Sequence, residues 1–192
     1  LILFGHEGPV LGGAWLGYRL LRSGNSASPR FRRLAGLFQS GFDFRFVLIG
    51  AILPDLVDKP LGHLIFKEQL SNGRVYGHTF LFFLLLFICG LWLYQRRSRS
   101  WLLVLALGDL GHLILDEIWN VPVTLAWPLL GWGFPRLDMG LLELASHILE
   151  ELLRNPQVFF VESVGFLICL AFSIDLLRRK KIWLFVRKGA IE

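Results

Sequence analysis

Charge is scarce in this sequence. Asp, Glu, Lys and Arg together make up 18% of the 192 residues, and there are only two cysteines and one methionine. Cys89 and Cys169 each sit midway along an apolar run, which excludes a disulfide framework and a thiolate metal site and marks them as packing residues. Low-complexity tracts and internal repeats are absent. So are a Ser-His-Asp order, a phosphate-cradling glycine loop and a dinucleotide fingerprint, which leaves those enzyme classes without support. The opening LILFGHEGPVLGG lacks a basic n-region and carries His6 and Glu7 inside its apolar stretch, unlike a cleavable signal peptide.

What the chain has in quantity is apolar surface: 54% hydrophobic residues, with 17 Phe and 7 Trp. Disorder is excluded by that composition. A soluble core of this size cannot hide so much apolar area, so the expected solvent is a bilayer. Five candidate spans emerge, at about 1–21, 44–66, 76–94, 101–119 and 158–177, each near the ~20 residues that cross a ~30 Å hydrocarbon core. Pro54 and Pro60, with Asp55 and Asp58, predict a kink or break in the second. The aromatic, Pro- and Gly-punctuated stretch 119–134 reads as an interface belt. Residues 141–153 place apolar residues at helical spacing with Glu143, Glu150 and Glu151 on the polar side, an amphipathic helix suited to a membrane surface. Residues 23–29 read as a polar linker. The expected fold is therefore all-α: one integral membrane helical bundle over 1–192, with about five transmembrane helices plus an outer amphipathic helix.

The net charge of +5 is a topology signal in this setting. The runs 96–99 and 178–181 abut apolar stretches, as cytoplasmic anchors do, and no aromatic-basic interleaving of an RNA-binding type is present, so no nucleic-acid partner is expected. With the N-terminus outside, only Lys59, Lys67, Arg74, Arg136 and Arg154 of the 20 Lys and Arg fall on the outer side. The positive-inside rule thus favours N-out, C-in, in what reads as a prokaryotic cytoplasmic membrane.

All five histidines then fall in the outer half, together with several carboxylates. Asp109, His112 and Asp116 share one helix face within roughly a 60° arc; Asp55 and Asp58 are an i,i+3 pair, and His147 and Glu151 an i,i+4 pair. Carboxylates in hydrocarbon are costly enough to be sent to a shared interior site. Imidazole and carboxylate on adjacent turns form a ligand set for a divalent metal such as zinc, manganese or iron, which would acidify a bound water. The alternatives to ligation for His112 and Asp116 are a proton relay or interhelical hydrogen bonds. Taken singly, His6 reads as a satisfied terminal residue, His63 as structural, and His147 with Glu151 as solvated.

The elements GAILPDLVDKPLG at 50–62, GRVYGHTFLF at 73–82, GHLILDEIW at 111–119 and AWPLLG at 126–131, after an early His6, resemble the membrane-bound metal-dependent hydrolases of bacteria and archaea, related to a LexA-binding inner-membrane hydrolase. That family is distantly similar to zinc-dependent phospholipase C. The resemblance implies zinc-like ions held by His6, Asp55, His78, His112 and Asp116. At such a site Asp58 or Asp109 is expected to orient or deprotonate the attacking water, and Arg74, next to the site's mouth, to take a phosphate oxygen. His147 and Glu151 are a weaker carry-over. The chain departs from the commoner family pattern at Gly73, where a histidine is usual, and in the spacing of Asp55 and Asp58. The expected function is a membrane metal-dependent hydrolase of phosphoesters such as lipid headgroups, with membrane lipids as partners. Its rivals are a non-catalytic subunit of a larger membrane-protein complex and an ion or proton carrier.

Overall fold

A computed structural model describes residues 2–23, 42–136 and 141–192. Among the described residues every regular element is helical: α1 (Phe4–Ser23), α2 (Phe44–Pro60), α3 (Phe80–Arg97), α4 (Trp101–Leu115), the short α5 (Pro122–Leu125), α6 (Leu141–Arg154), α7 (Pro156–Arg178) and α8 (Ile182–Lys188). The polar linker read at 23–29, beyond Ser23, and the basic residues Arg30, Arg32 and Arg33 lie outside the described residues.

Local chemistry sets the helix limits. Asp43 caps α2 by accepting the Arg45 N–H, Thr79 caps α3 by accepting the Phe82 N–H, and Asn155 caps α7 with Pro156 in its first turn. The expected break in α2 comes late. The helix passes through Pro54 and changes to a π-helical turn, Leu61–Ile65, only after Pro60. The third expected span began at residue 76, but α3 starts at Phe80 because 76–79 form a turn that positions His78.

Two helices, not five, are long and apolar enough to cross a membrane among the described residues. They are α3, with mean hydropathy 1.4, and α7, with mean hydropathy 2.0. Only 6% of the apolar window of α3 is buried within the protein, so its side chains face outward. The shortfall has physical causes. At 15 residues, α4 is about 22 Å long, because the chain turns at Asp116 instead of continuing to residue 119. The 17-residue α2 contains two prolines, two aspartates and a lysine, and α1 includes His6, Glu7 and Arg19.

The helices pack as two close pairs, α2 on α4 and α1 on α7, with α3 laid against α4. Each pair crosses at glycine. A Cβ on Gly108 would lie 2.4 Å from the Val47 carbonyl oxygen and 2.9 Å from Gly50 Cα; one on Gly8 would lie 2.3 Å from Gly165 Cα. Small residues at a crossing let backbones touch, which in a membrane supplies the packing that water-driven burial does not. Around the start of α2 an apolar core gathers Leu11, Phe42, Phe44, Val47, Val104, Phe172, Leu176 and Ile191. The opposite end of the bundle is polar: the start of α1, the end of α2, the turn before α3 and the end of α4 meet there. Glu162 on α7 accepts the Ile2 and Leu3 backbone N–H groups and so fixes the entry to α1.

Gly108→Ala should push α2 from α4. The expected cost is about 1–3 kcal/mol of overpacking, read as a lower unfolding temperature in detergent, whereas Ala at Gly13, which has open space around it, should change little.

Candidate metal centre

The Asp58 carboxylate is fully buried near the end of α2 and organises the turn that follows Gly73. It accepts the backbone N–H groups of Val75 at 2.7 Å, Gly77 at 2.7 Å and His78 at 3.1 Å. The His78 ring completes the set, its Nδ1–H donating to Asp58 Oδ2 at 2.7 Å. Both Asp58 oxygens are thereby occupied. Asp58, expected to orient or deprotonate a water, here holds the imidazole of His78, fixing its tautomer so that Nε2 carries the lone pair. Flanking contacts brace the turn. Asn72 accepts the Arg74 N–H and donates to the Pro135 carbonyl, and Tyr76 packs edge-on against Trp127 and Phe134. The aromatic stretch read as an interface belt therefore buttresses this turn, while Leu129 and Trp132 remain exposed.

His112, on α4, is fixed in the same manner. Its Nδ1–H donates to the Ala51 carbonyl oxygen of α2 at 2.6 Å, which leaves Nε2 as the acceptor. The two Nε2 atoms of His112 and His78 face each other at 3.2 Å, and both rings are buried. His6 stacks on His112 with ring centroids 4.2 Å apart and places its Nε2 2.9 Å from Asp116 Oδ1. Asp116 Oδ2 lies 3.5 Å from His78 Nε2 and accepts Arg74 Nε at 2.8 Å. Asp55 Oδ1 lies 3.7 Å from His78 Nε2, and its other oxygen accepts Lys59 Nζ at 2.6 Å.

The five residues expected as ligands, drawn from α1, α2, the turn before α3 and the end of α4, thus converge. Their donor atoms form two overlapping sets, His6–His112–Asp116 and Asp55–His78–His112, and within each the atoms lie within 4.8 Å of one another. These residues fit a divalent cation. Two imidazole lone pairs pointed at each other repel unless a proton or a cation lies between them, and the adjacent buried carboxylates favour positive charge.

The other expected residues are placed differently. Asp109 lies one turn before His112, fully buried, and neither of its oxygens has a hydrogen-bond partner among the described residues. His147 and Glu151 stand on α6, outside both donor sets; Glu151 instead accepts Asn155 Nδ2 at 3.1 Å. His63, read as structural, is buried against Gly73. Two contributors were missed at the level of sequence. Lys59 carried a topology reading only, although its i,i+4 spacing from Asp55 signals a pair. The Ala51 carbonyl has no side-chain signature at all.

Two clefts reach the cluster. One, of about 330 Å³, is walled by Ile2, Leu3, Ile52, Leu56 and Pro60 and touches His6, Asp55, Lys59 and His112. The other, of about 360 Å³, is more polar and includes Arg74, Asp116, Glu117 and Asn120.

A family model described as YdjM inner membrane protein matches residues 11–182. Asp55, His78, His112 and Asp116 lie within the matched stretch, and His6 precedes it. No curated protein and no solved structure matches the chain.

Asp58→Asn replaces an acceptor-only carboxylate by an amide whose NH₂ must face an N–H donor. The expected result is a loss of about 1–3 kcal/mol with faster amide hydrogen exchange at residues 75–78, measured against Asp43→Asn, at the cap of the same helix, as a control.

Proposed function

The chain belongs to the YdjM inner membrane protein family, and from that premise we propose that it is a membrane metal-dependent hydrolase of phosphoesters, with lipid headgroups as its substrates. The observation that carries this reading is the meeting of His78 Nε2 and His112 Nε2 at 3.2 Å, each ring held by a hydrogen bond at its other nitrogen. His6, Asp55, His78, His112 and Asp116 would hold one or more divalent ions, zinc being the ion best suited to mixed imidazole and carboxylate ligands. When bound, such an ion supplies Lewis acidity and lets water react at neutral pH.

The protein's own residues supply the rest. Hydrolysis joins a water oxygen to phosphorus and breaks the phosphorus–oxygen ester bond, and the water's proton finally resides on the leaving alcohol. Arg74, at the mouth of the polar cleft, is placed to hold a phosphate oxygen. Lys59, on the apolar cleft, offers a second cation. Asp58 is a positioning residue, since its oxygens are engaged. Asp109, one turn before His112 and with both oxygens free of hydrogen bonds among the described residues, is the carboxylate assigned to receive the water's proton. We further propose an N-out, C-in bundle in which α1, α2 and α4 complete the membrane domain with α3 and α7, so that the cluster lies toward the outer leaflet. The ligand order also supports the distant likeness to zinc-dependent phospholipase C.

A second reading has its own support. Asp55 is paired with Lys59, and Asp116 with His6 and Arg74, so the cluster's carboxylates already have cationic or imidazole partners within the chain. That closure favours a non-catalytic membrane subunit of a larger assembly.

Elemental analysis joined to turnover of a phospholipid separates the two. The hydrolase reading expects retained divalent metal, at least about tenfold loss of metal affinity and turnover in His112→Ala and Asp116→Ala, and Asp109→Asn with metal retained and turnover lowered about 10²–10⁴-fold. Metal-free protein with unaltered turnover in the variants overturns it. Metal-free, inactive protein that co-purifies stoichiometrically with another integral protein supports the subunit.

A further inference from the structure

The end of the bundle remote from the histidines holds a third cleft, of about 540 Å³, that the proposed chemistry does not use. Along α4 it lies at Ser100 and Trp101, about 16 Å from His112. Three separate stretches of chain line it: Asp43 and Phe46 at the start of α2, Ser98 to Trp101 between α3 and α4, and Lys188 at the end of α8.

Defined contacts bring these stretches together. The Phe44 N–H donates to the Gly189 carbonyl at 2.9 Å and Arg45 Nη1 to the Val186 carbonyl at 2.8 Å, docking the end of α8 on the start of α2. Ser98 adopts a left-handed conformation, φ 52°, and its N–H closes α3 on the Tyr94 carbonyl, which places Arg99 at the cavity. Phe46 and Trp101 pack with ring centroids 5.2 Å apart and form an aromatic wall.

The charges in this cavity do not balance. Asp43 is engaged by Arg45 through contacts of 2.6 to 3.2 Å, so its negative charge is offset within one pair. Arg99 and Lys188, among the described residues, have neither a hydrogen bond nor an ion pair. Two like charges from distant parts of the sequence are thus held at one cavity, a disposition that an anion stabilises. The surrounding surface favours one source for that anion. Ile182, Trp183 and Val186 expose apolar area on α8 next to Arg187 and Lys188, and Trp92 does so on α3 above Arg96 and Arg97. Exposed aromatics interleaved with cations suit the depth of lipid headgroups, where a ring meets hydrocarbon and an ammonium or guanidinium meets phosphate.

We propose that this cavity binds the phosphate of an anionic phospholipid through Arg99 and Lys188, with Trp101 and Phe46 against the glycerol and upper acyl region. The site is separate from the metal centre and independent of hydrolysis. Basic pockets between membrane helices bind anionic headgroups in this manner.

Native mass spectrometry of the full chain in detergent, titrated with phosphatidylglycerol, phosphatidylcholine or inorganic phosphate, tests the proposal. Retention of phosphatidylglycerol over phosphatidylcholine by about tenfold or more is expected, the scale that two interfacial cations supply, and R99Q/K188Q should abolish that preference. Both residues are exposed, so the variant should fold, which an unchanged unfolding temperature without added lipid verifies. R178Q/K181Q removes two cations from the same end of the bundle outside the cavity and should keep the preference. Equal loss in the two double variants, equal retention of the two lipids, or displacement of the lipid by millimolar inorganic phosphate overturns the site.

Discussion

The polar end of this bundle depends on one carboxylate. Asp58 enters the structure from the last turns of α2 and receives three backbone N–H groups and one imidazole N–H. In a low-dielectric interior an isolated carboxylate would be prohibitive; with four donors it becomes a fixed point about which the 75–78 turn is wound. The direction of the His78 ring follows from that turn, and the arrangement of the cluster follows from the ring. His112 is aimed from the other side by the Ala51 carbonyl, so the two imidazoles are each oriented by α2. One helix therefore sets both halves of the site, through a side chain in one case and its backbone in the other.

The apolar parts of the molecule serve the same end. Gly50 and Gly108 let α2 and α4 touch, and Ala51, one residue on from Gly50, can then reach a ring on α4. A bulkier crossing would move the Ala51 carbonyl away from the His112 ring and weaken the hydrogen bond that aims it. The Phe-rich core at the far end fixes the relative tilt of α1, α2, α4 and α7, while α3 turns most of its apolar surface outward. Outward apolar surface and site construction are thus divided between helices. The outward-facing α3 contributes its N-terminal approach to the cluster, and the remainder of that helix is long and apolar enough to cross a membrane.

Spacing made part of this legible in the sequence. His112 and Asp116 lie one turn apart on an apolar helix, where each polar residue needs an interior destination, and Asp55 and Asp58 gave the same signal. The all-helical class followed from composition, and the amphipathic pattern at 141–153 corresponds to α6 (Leu141–Arg154). The division of labour between Asp55 and Asp58 was not legible, because the donors that engage Asp58 are main-chain N–H groups with no residue signature. Among the described residues only two of the five expected spans coincide with helices long and apolar enough to cross a membrane, for a related reason. Hydropathy extends through residue 119, but α4 ends at Leu115 with Asp116 as its cap, and a window average does not register where a helix stops. Lys59 is legible as a partner of Asp55 only through its i,i+4 spacing, because a lysine beside an apolar run reads equally well as a topology charge.

X-ray absorption at the metal edge of the purified protein tests the coordination of a divalent ion by this cluster most directly. Bound zinc or a similar ion is expected, with imidazole nitrogen and carboxylate oxygen ligands at about 2.0–2.2 Å, including multiple-scattering features from at least two imidazoles that diminish in His112→Ala. A spectrum of purely solvent or sulfur ligands, or one unaltered by that substitution, would contradict it.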